Sequence, residues 1–274
     1  MTLQKTNKIL PKSLHRLSVQ VSLTGLSFLV TDSDNKKSVF FSEEDFGGTR
    51  TPEEILIEIE RVLDTSEALQ YQFDDVSLIF ANNIYSIVPN SLFDETKASE
   101  YLKFNSKILS NDYITHDSIE NHDLVTVYVP YVNITNYFFD RFGTFQYFHS
   151  TSVLLKTILD HEKHTIVPKV YIHVQKDFFD CIIVRDGTLQ LCNSYPYRTP
   201  EDFIYYILFC LEQMQLNPDT VNLYLCGNIN ENDDNYEILY NYIRNINFTD
   251  LPALDRMQIG AKDDHHHFIL KNNL

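Results

Sequence analysis

The hydrophobic positions of the chain follow the same order twice. In each half, three short runs with strand-like alternation are followed by a run with helical spacing and then by a continuous apolar run typical of a buried strand. In the first half the strand-like runs are residues 17–23, 26–31, 38–42 and 76–81. In the second half they are residues 170–174, 179–184, 189–193 and 221–226, with Arg185-Asp186-Gly187 as a hairpin turn. The pattern therefore predicts a duplicated α/β unit.

The two predicted helices begin with the same signal. Arg50-Thr51-Pro52-Glu53-Glu54 in the first half is echoed by Arg198-Thr199-Pro200-Glu201-Asp202 in the second. Threonine caps the helix, proline fits the first turn because its missing N–H is not needed there, and the acid three residues after the cap closes a capping box. Apolar residues then recur at helical spacing, which indicates helices that pack on a sheet. Two unrelated α/β segments that share a cap by chance are the alternative to duplication.

The rest of each half continues the alternation of helices and strands. The first half continues with a helix at 131–142, a strand at 144–148 and a helix at 151–161. The second continues with a helix at 235–246 and ends in one or two strands, near Met257 and at 268–270. An insertion at 83–130, with a helix near 96–108 and a strand at 124–129, interrupts the first half. We therefore expect a first lobe at 14–165 with an inserted subdomain at 83–130, and a second lobe at 166–274.

This duplicated order resembles a known superfamily. Three antiparallel strands, helix, strand, helix, strand and helix, written twice, are the plan of the actin, sugar-kinase and heat-shock-chaperone proteins. The opening run Leu-Ser-Val-Gln-Val-Ser-Leu-Thr-Gly-Leu-Ser-Phe at 17–28, the insertion and the length of 274 residues are similar to the bacterial domain-of-unknown-function 3822 family, DUF3822. The resemblance implies an α/β class with mixed sheets, an actin-like ATPase fold of two duplicated ribonuclease-H-like lobes, and no established activity.

The resemblance also implies a place for ATP between the two halves. In that superfamily an aspartate on the first strand of each half holds Mg²⁺, and glycine-containing turns let backbone N–H groups approach the phosphates. Here Ser22 stands at the first aspartate position, and Gly25 is the one glycine kept in that turn. The second turn, expected as Asp-x-Gly-x-x-x-Thr at residues 173–179, has His173 at the aspartate position, Phe179 at the threonine position and no glycine. Gly227 is the one glycine left of a pair on the adenosine side. If a nucleotide binds, Gly25, Lys176 and Gly227 are the residues that would meet it.

These departures argue against two activities. Without the two carboxylates the usual means of placing Mg²⁺ and orienting water is missing, which argues against in-line phosphoryl transfer. A ribonuclease-H-type nuclease needs an acid on the first strand, where this chain has Ser18, Gln20 and Ser22. The first hypothesis is therefore a non-catalytic scaffold without a cofactor that acts on an unidentified protein partner. A diverged ATPase or nucleotide sensor that uses ATP and Mg²⁺ is the alternative, and self-assembly into dimers or filaments is a third.

Two further groups of side chains invite a functional interpretation. His265-His266-His267 follows Asp263-Asp264, but neighbours on a strand face opposite ways, so His265 and His267 alone would share a metal ion. An exposed polar strand end is the simpler interpretation. Helical spacing also favours core packing over a partner surface for two groups of aromatic residues, namely Tyr137, Phe138, Phe139 and Phe142, and Phe203, Tyr205, Tyr206 and Phe209.

Charge and composition narrow the partners. The formal net charge of −16 disfavours nucleic acid, whose phosphates need a basic face. The acid-rich stretches 43–45 and 231–234 are solvated turns or a docking surface for a basic partner. No apolar run reaches the length of about 18 residues that a membrane span requires, and residues 1–12 do not form a signal peptide, so we expect a cytoplasmic protein without membrane contact. The four cysteines form no Cys-x-x-Cys pair and are expected to be reduced packing residues.

Overall fold

The computed structural model describes residues 15–34, 37–104, 106–109, 111–249 and 265–273. These residues belong to two compact units. The first unit ends at Leu154 and includes the C-terminal residues from Ile269 onward. The second begins at Leu155 and includes residues 265–268. The lobe boundary that the sequence predicts after residue 165 stays a prediction.

The first unit holds eight strands among its described residues: β1 (His15–Val21), β2 (Gly25–Asp32), β3 (Ser38–Asp45), β4 (Asp75–Phe80), β5 (Tyr85–Pro89), β6 (Thr115–Ile119), β7 (Leu124–Tyr128) and β8 (Gln146–His149). Five of them form a mixed sheet in the order β3-β2-β1-β4-β8. Strands β1, β2 and β3 pair antiparallel, whereas β1, β4 and β8 pair parallel. The central strand β1 is buried on both faces, because Leu17 and Ser18 are both almost fully covered.

The helices of the first unit follow the predicted signals. They are α1 (Pro52–Thr65), α2 (Ala98–Lys103), α3 (Val132–Phe142) and α4 (Ser150–Glu162), the last of which continues into the second unit. The capping box at the start of α1 is confirmed: the Glu54 amide donates to Thr51 Oγ1 at 3.3 Å, and the Thr51 amide donates to Glu54 Oε2 at 2.9 Å. Helices α1 and α3 pack together, and Arg141 pairs with Asp64 at 2.7 Å.

The insertion folds around a small sheet of its own, with the antiparallel order β5-β7-β6. Its core is made of Val88, Leu102, Val125 and Val127, and α2 supplies Leu102. The predicted helix near 96–108 is therefore present but shorter, and it ends at Lys103. Phe104 is 89% exposed, so no core contact supports a further helical turn.

The second unit repeats the architecture of the first sheet. Its strands are β9 (Lys169–Val174), β10 (Phe178–Arg185), β11 (Thr188–Pro196), β12 (Asn222–Gly227) and β13 (Asn245–Phe248), and its helices include α5 (Pro200–Gln213) and α6 (Asp234–Tyr242). The order β11-β10-β9-β12-β13 and the strand directions match those of β3-β2-β1-β4-β8. The second capping box is also confirmed, with Thr199 and Asp202 in place of Thr51 and Glu54. The duplication predicted from the sequence is therefore present in the fold.

Glycine and aspartate form the predicted hairpin turn between β10 and β11. Asp186 and Gly187 have φ angles of 53° and 67°, which is the geometry of a two-residue hairpin of type I′. The apolar side chains of β9, β10 and β12 that point to one face of the sheet pack with α5 and α6 into one buried cluster. This layer of two helices on a sheet is the counterpart of α1 and α3 in the first unit.

Two predictions for the C-terminal part are wrong. The helix predicted at 235–246 ends at Tyr242, and the chain then forms β13, which pairs parallel with β12 from Asn245 to Phe248. Pairing with a buried strand outweighs a weak helical pattern that is rich in asparagine. The strand predicted at 268–270 is a short helix, α7 (Phe268–Asn272), because a short apolar run does not distinguish the two states by its pattern. The strand predicted near Met257 lies outside the described residues.

Candidate functional site

The turn between β1 and β2 satisfies its own backbone groups. Ser22, which stands where the superfamily has a metal-binding aspartate, accepts hydrogen bonds through Oγ from the amides of Gly25 at 2.9 Å and Thr24 at 3.3 Å. The same hydroxyl donates to the Gly25 carbonyl at 3.0 Å, and that carbonyl also accepts from the Ser22 amide. The N–H groups that a phosphate-binding turn would direct at its ligand are therefore bound to a serine side chain.

Gly25 has a reason to be glycine that involves no ligand. It begins β2 opposite Asp45 of β3, and a Cβ atom at this position would lie 2.8 Å from the Glu44 carbonyl oxygen. A real Cβ atom does not approach backbone oxygen that closely. The glycine that remains from the superfamily pattern therefore allows β2 and β3 to pair closely at this turn.

The turn between β9 and β10 is held by its own backbone and by a tyrosine. The Gln175 amide donates to the Phe178 carbonyl at 2.9 Å, and the Tyr197 hydroxyl donates to the Gln175 carbonyl at 2.6 Å. Lys176 lies at the exposed tip of this turn. Phe179, at the position where the pattern has threonine, is fully buried and packs edge-to-face on Phe203. This turn is therefore anchored by aromatic packing.

Gly227 is also required by the pairing of strands. Its φ angle is +88°, and a Cβ atom would lie 2.3 Å from the Val174 carbonyl oxygen. Its amide donates to the His265 carbonyl at 2.9 Å. Because Gly227 pairs with Val174, it lies at the same edge of the second sheet as the turn that carries Lys176. The structure brings these two predicted residues to one edge, whereas Gly25 belongs to the first unit.

A buried polar network in the first unit was missed by the sequence analysis. Its centre is Asp117 of β6 in the insertion, which is joined to the start of α4. Oδ2 of Asp117 accepts from the His149 amide at 2.8 Å and from the Ser152 hydroxyl at 2.6 Å, and Oδ1 accepts from the Tyr128 hydroxyl at 3.0 Å. An acid at the beginning of a helix both caps amides and faces the positive end of the helix dipole. Asp117 therefore ties the insertion to the main sheet.

His149 extends this network to β4. Its Nδ1 accepts from the Thr151 amide at 3.2 Å, so the proton of a neutral ring lies on Nε2, which is 3.1 Å from the Asn82 carbonyl oxygen. Asn82 in turn donates through its side-chain amide to the Val129 carbonyl. The ring is completely buried. It therefore connects the ends of β4, β7 and β8.

Burial raises the pKa of Asp117 from 3.8 to about 6, although the bonds from Ser152, His149 and Tyr128 oppose the rise. Burial also raises the pKa of Tyr128, and the adjacent Asp117 carboxylate adds to that rise. A carboxylate with a pKa near neutrality is typical of general bases. The oxygens of Asp117 are already occupied by three protein donors, so the geometry favours a structural role for this group.

The second unit contains a smaller buried cluster. Asp180 accepts from the Ser194 hydroxyl through Oδ1, and its Oδ2 lies 3.1 Å from His173 Nδ1. Serine and histidine thus contact the same carboxylate. A serine nucleophile would instead need its hydroxyl on the histidine, with the carboxylate behind the ring. The arrangement therefore differs from a catalytic triad.

The sequence suggested that the C-terminal histidines form an exposed polar strand end, but the structure shows a different arrangement. His265 and His266 are buried in a turn that precedes α7, and His265 Nε2 lies 2.7 Å from the Ile229 carbonyl oxygen. The His265 ring also packs against the Phe248 ring in a tilted arrangement, at a centroid distance of 4.2 Å. Within the described ranges no cluster of three or more His, Cys, Asp or Glu side chains is arranged to hold a metal ion.

The prediction that both aromatic groups are core residues is only partly right. Phe138 and Phe203 are fully buried. Phe139, Tyr205 and Phe209 are exposed. The difference arises because the two helices carry aromatic residues on more than one face, so spacing alone does not tell which of them turn to the sheet. Cys181, Cys210 and Cys226 are buried as expected, and none of the four cysteines forms a disulfide.

One protein-family model and several solved structures match this chain. A family model described as a protein of unknown function (DUF3822) matches residues 4–246. A protein of unknown function with an actin-like ATPase fold from Bacteroides thetaiotaomicron superimposes with a TM-score of 0.76 at 21% identity, covering 86% of this chain and 91% of that one. No curated protein matches the chain.

Two further solved structures share the fold at lower identity. The PilM-PilN type IV pilus biogenesis complex gives a TM-score of 0.58 at 11% identity and covers 93% of this chain and 96% of that one. The ethanolamine utilization protein EutJ from Carboxydothermus hydrogenoformans gives 0.51 at 8% identity, covering 92% and 89%. The predicted fold, an α/β protein with mixed sheets and the actin-like ATPase plan, is therefore confirmed. In the part of the chain that the structure describes, no helix is both long and apolar enough to cross a membrane.

Proposed function

Because the chain belongs to the DUF3822 family and has the actin-like ATPase fold, we propose that it is a non-catalytic scaffold that works through protein contacts. In this proposal the nucleotide site of the superfamily has degenerated. One observation carries the proposal: the Ser22 side-chain oxygen accepts hydrogen bonds from the amides of Thr24 and Gly25, which are the donors that a bound phosphate would need. A bound nucleotide would have to break these bonds before it formed its own.

The two remaining glycines support the same conclusion. Gly25 and Gly227 each allow a close approach of neighbouring backbone, to Glu44 and Val174 respectively. Neither therefore needs a ligand to explain it. The amide of Gly227 is in addition bound to His265. Gly25 and Gly227, two of the three residues that the sequence analysis assigned to a nucleotide, are thus explained by contacts within their own sheets.

Contact with another protein is the role that we propose instead. The PilM-PilN complex is one case in which a protein of this fold assembles with another protein. We place the action of the present chain in the cytoplasm, where its four thiols would stay reduced. The partner is a protein, and neither nucleic acid nor a membrane is part of the proposal.

A nucleotide titration tests the proposal. The midpoint of thermal unfolding should not change when ATP or ADP is added to millimolar concentration, with or without Mg²⁺, and isothermal calorimetry should show no binding heat. A ligand at a hundredfold excess over its Kd would stabilise the fold by about 2.7 kcal/mol, which is readily measured. Stabilisation by Mg²⁺ and ATP that a Lys176→Ala variant abolishes would overturn the proposal.

That outcome would favour the diverged ATPase or nucleotide sensor, which has one observation in its support. The side-chain nitrogen of Gln175, next to Lys176, is buried and has no hydrogen-bond partner among the described residues. Hydrolysis measured on the same samples would then separate an ATPase from a sensor. Light scattering over a range of concentrations tests the third hypothesis, self-assembly.

A further inference from the structure

Helix α5 exposes two aromatic side chains four positions apart, and helix α6, which packs on α5, exposes a third. Tyr205 and Phe209 of α5 are 62% and 42% exposed, and Tyr240 of α6 is 65% exposed. The two helices pack together in the second unit. We call Tyr205 and Phe209, which lie on one side of α5, the aromatic face. Single exposed apolar residues are common, but exposed aromatic residues that lie together are enriched at protein interfaces.

The exposed stripe of α5 has acids at both ends. Glu201, Tyr205, Phe209 and Glu212 are spaced by four, four and three positions, so they lie on one side of the helix. All four are exposed. The inward positions of the same helix, among them Phe203, Ile207 and Leu211, belong to the core cluster. The aromatic face is therefore present in addition to the packing that holds α5 on its sheet.

The stretch of chain that carries this face, residues 199–243, contains acids but no cations. No Lys, Arg or His occurs between Arg198 and Arg244. The acids of that stretch are Glu201, Asp202, Glu212, Asp219, Glu231, Asp233, Asp234 and Glu237. Glu201, Glu212 and Glu237 form no ion pair with any residue that the structure describes. Along α5 the two aromatic residues thus lie between Glu201 and Glu212, while Arg185 donates to the Met214 carbonyl at the end of the helix.

At the duplicated position of the first unit, α1 carries a cation in place of one of the two aromatic residues. When the two capping boxes are aligned, Ile57 of α1 corresponds to Tyr205 and Arg61 to Phe209. Arg61 pairs with Glu44 and Glu58, and Arg141 of α3 pairs with Asp64. Glu44, Glu58 and Asp64 are therefore paired within the unit. In the second unit Phe209 stands in place of Arg61, so this position of α5 offers no cation to the acids of the helix.

We propose that the aromatic face binds a cationic amphipathic helix of a partner protein. This rests on the proposed function, that the chain acts through protein contacts, and it specifies the chemistry of the partner. Apolar residues of the partner would cover Tyr205 and Phe209, and lysines or arginines beside them would meet Glu201, Glu212 and Glu237. Arginine and lysine also bind the faces of tyrosine rings. A second copy of this chain is disfavoured, since two chains of net charge −16 repel each other.

A synthetic peptide tests this proposal directly. The probe is a fluorescent peptide of about 15 residues, long enough to form a helix, with leucine on one face and lysine on the others. The control peptide has glutamate in place of every lysine. Fluorescence anisotropy should show that the lysine peptide binds the full chain and that its affinity falls as salt is added. The glutamate peptide should not bind.

Two variants locate the binding. Tyr205→Ser combined with Phe209→Ser leaves the charge unchanged and should weaken binding by about tenfold or more, as expected when aromatic anchors are removed. The matched control is Ile57→Ser, which removes the exposed apolar residue at the equivalent position of α1 and should leave affinity unchanged. Circular dichroism of each variant verifies that it is folded.

Three outcomes would overturn the proposal. The first is that the lysine peptide binds the double variant with the same affinity as the original chain. The second is that the glutamate peptide binds the original chain with the same affinity as the lysine peptide does. The third is that light scattering shows a dimer of the original chain and a monomer of the double variant. The last result would assign the face to a second copy. Nucleotide titration on the same samples is independent of all three, so failure of this proposal leaves the proposed function intact and measurable.

Discussion

Replacing Asp117 by asparagine should change the pH dependence of stability, because this carboxylate is buried and its pKa is raised from 3.8 to about 6. An acid with a raised folded pKa binds its proton more tightly in the native state than in the unfolded chain. Its contribution to stability is therefore greatest at low pH and is lost as pH rises towards the folded pKa and beyond. Asparagine does not titrate, so the variant lacks this loss.

The magnitude follows from the shift. About two pKa units correspond to roughly 3 kcal/mol over the whole titration, at about 1.4 kcal/mol per unit. The isoelectric point of 4.9 makes measurements below about pH 5.5 prone to precipitation. Between pH 5.5 and 7.5 the unfolding free energy of the original chain should fall by about 1 kcal/mol relative to the Asp117→Asn variant.

Urea unfolding at several pH values measures this difference. The chain contains no tryptophan and 17 tyrosines, so tyrosine fluorescence or far-ultraviolet circular dichroism is the suitable signal. The exposed Asp123→Asn variant, from the same insertion, is the matched control and should run parallel to the original chain. If the original chain instead gains stability relative to Asp117→Asn as pH rises, the three hydrogen bonds outweigh burial and the reasoning is wrong.

Three further predictions concern backbone geometry and capping. Gly227→Ala should destabilise the second unit by about 3 kcal/mol, since it combines a positive φ angle with a Cβ atom 2.3 Å from the Val174 carbonyl; an unchanged urea midpoint would contradict this. Gly25→Ala should cost about 1 to 2 kcal/mol in the same assay, because the clash with Glu44 at 2.8 Å is milder, and a loss equal to that of Gly227→Ala would be unexpected. Thr199→Ala should lower the free energy of unfolding by about 1 kcal/mol through loss of the helix cap. Because the two capping boxes are equivalent, Thr51→Ala should lower it by a similar amount. Losses that differ by more than about twofold between the two variants would contradict this equivalence.

The repeated parts of the fold could be predicted from the sequence because the patterns that specify them are local. The capping boxes at Thr51 and Thr199 use residues three positions apart, and the turn at Asp186 and Gly187 uses two adjacent residues. Alternating apolar positions likewise identified the strands of both main sheets. The start of β13 at Asn245 could not be predicted from the sequence, because it depends on pairing with β12, which is more than twenty positions away along the chain.

The candidate site was less predictable for the same reason. The departures from the nucleotide-binding pattern at Ser22 and in the 173–179 turn were visible in the sequence. The network around Asp117 was not, since Asp117 and His149 are 32 positions apart and Asn82 and His149 are 67 apart. Nor could spacing distinguish the buried Phe203 from the exposed Tyr205. Both results depend on how separate elements meet in three dimensions.

The most direct test of the proposal that the nucleotide site has degenerated is to observe the two glycines themselves. The chain has seven glycines, so labelling glycine alone with ¹⁵N gives a spectrum simple enough to assign by substitution. On addition of ATP and Mg²⁺ to millimolar concentration, the amide signals of Gly25 and Gly227 should not move, because their N–H groups are bound to Ser22 and His265. Saturable shifts of either signal would contradict the account.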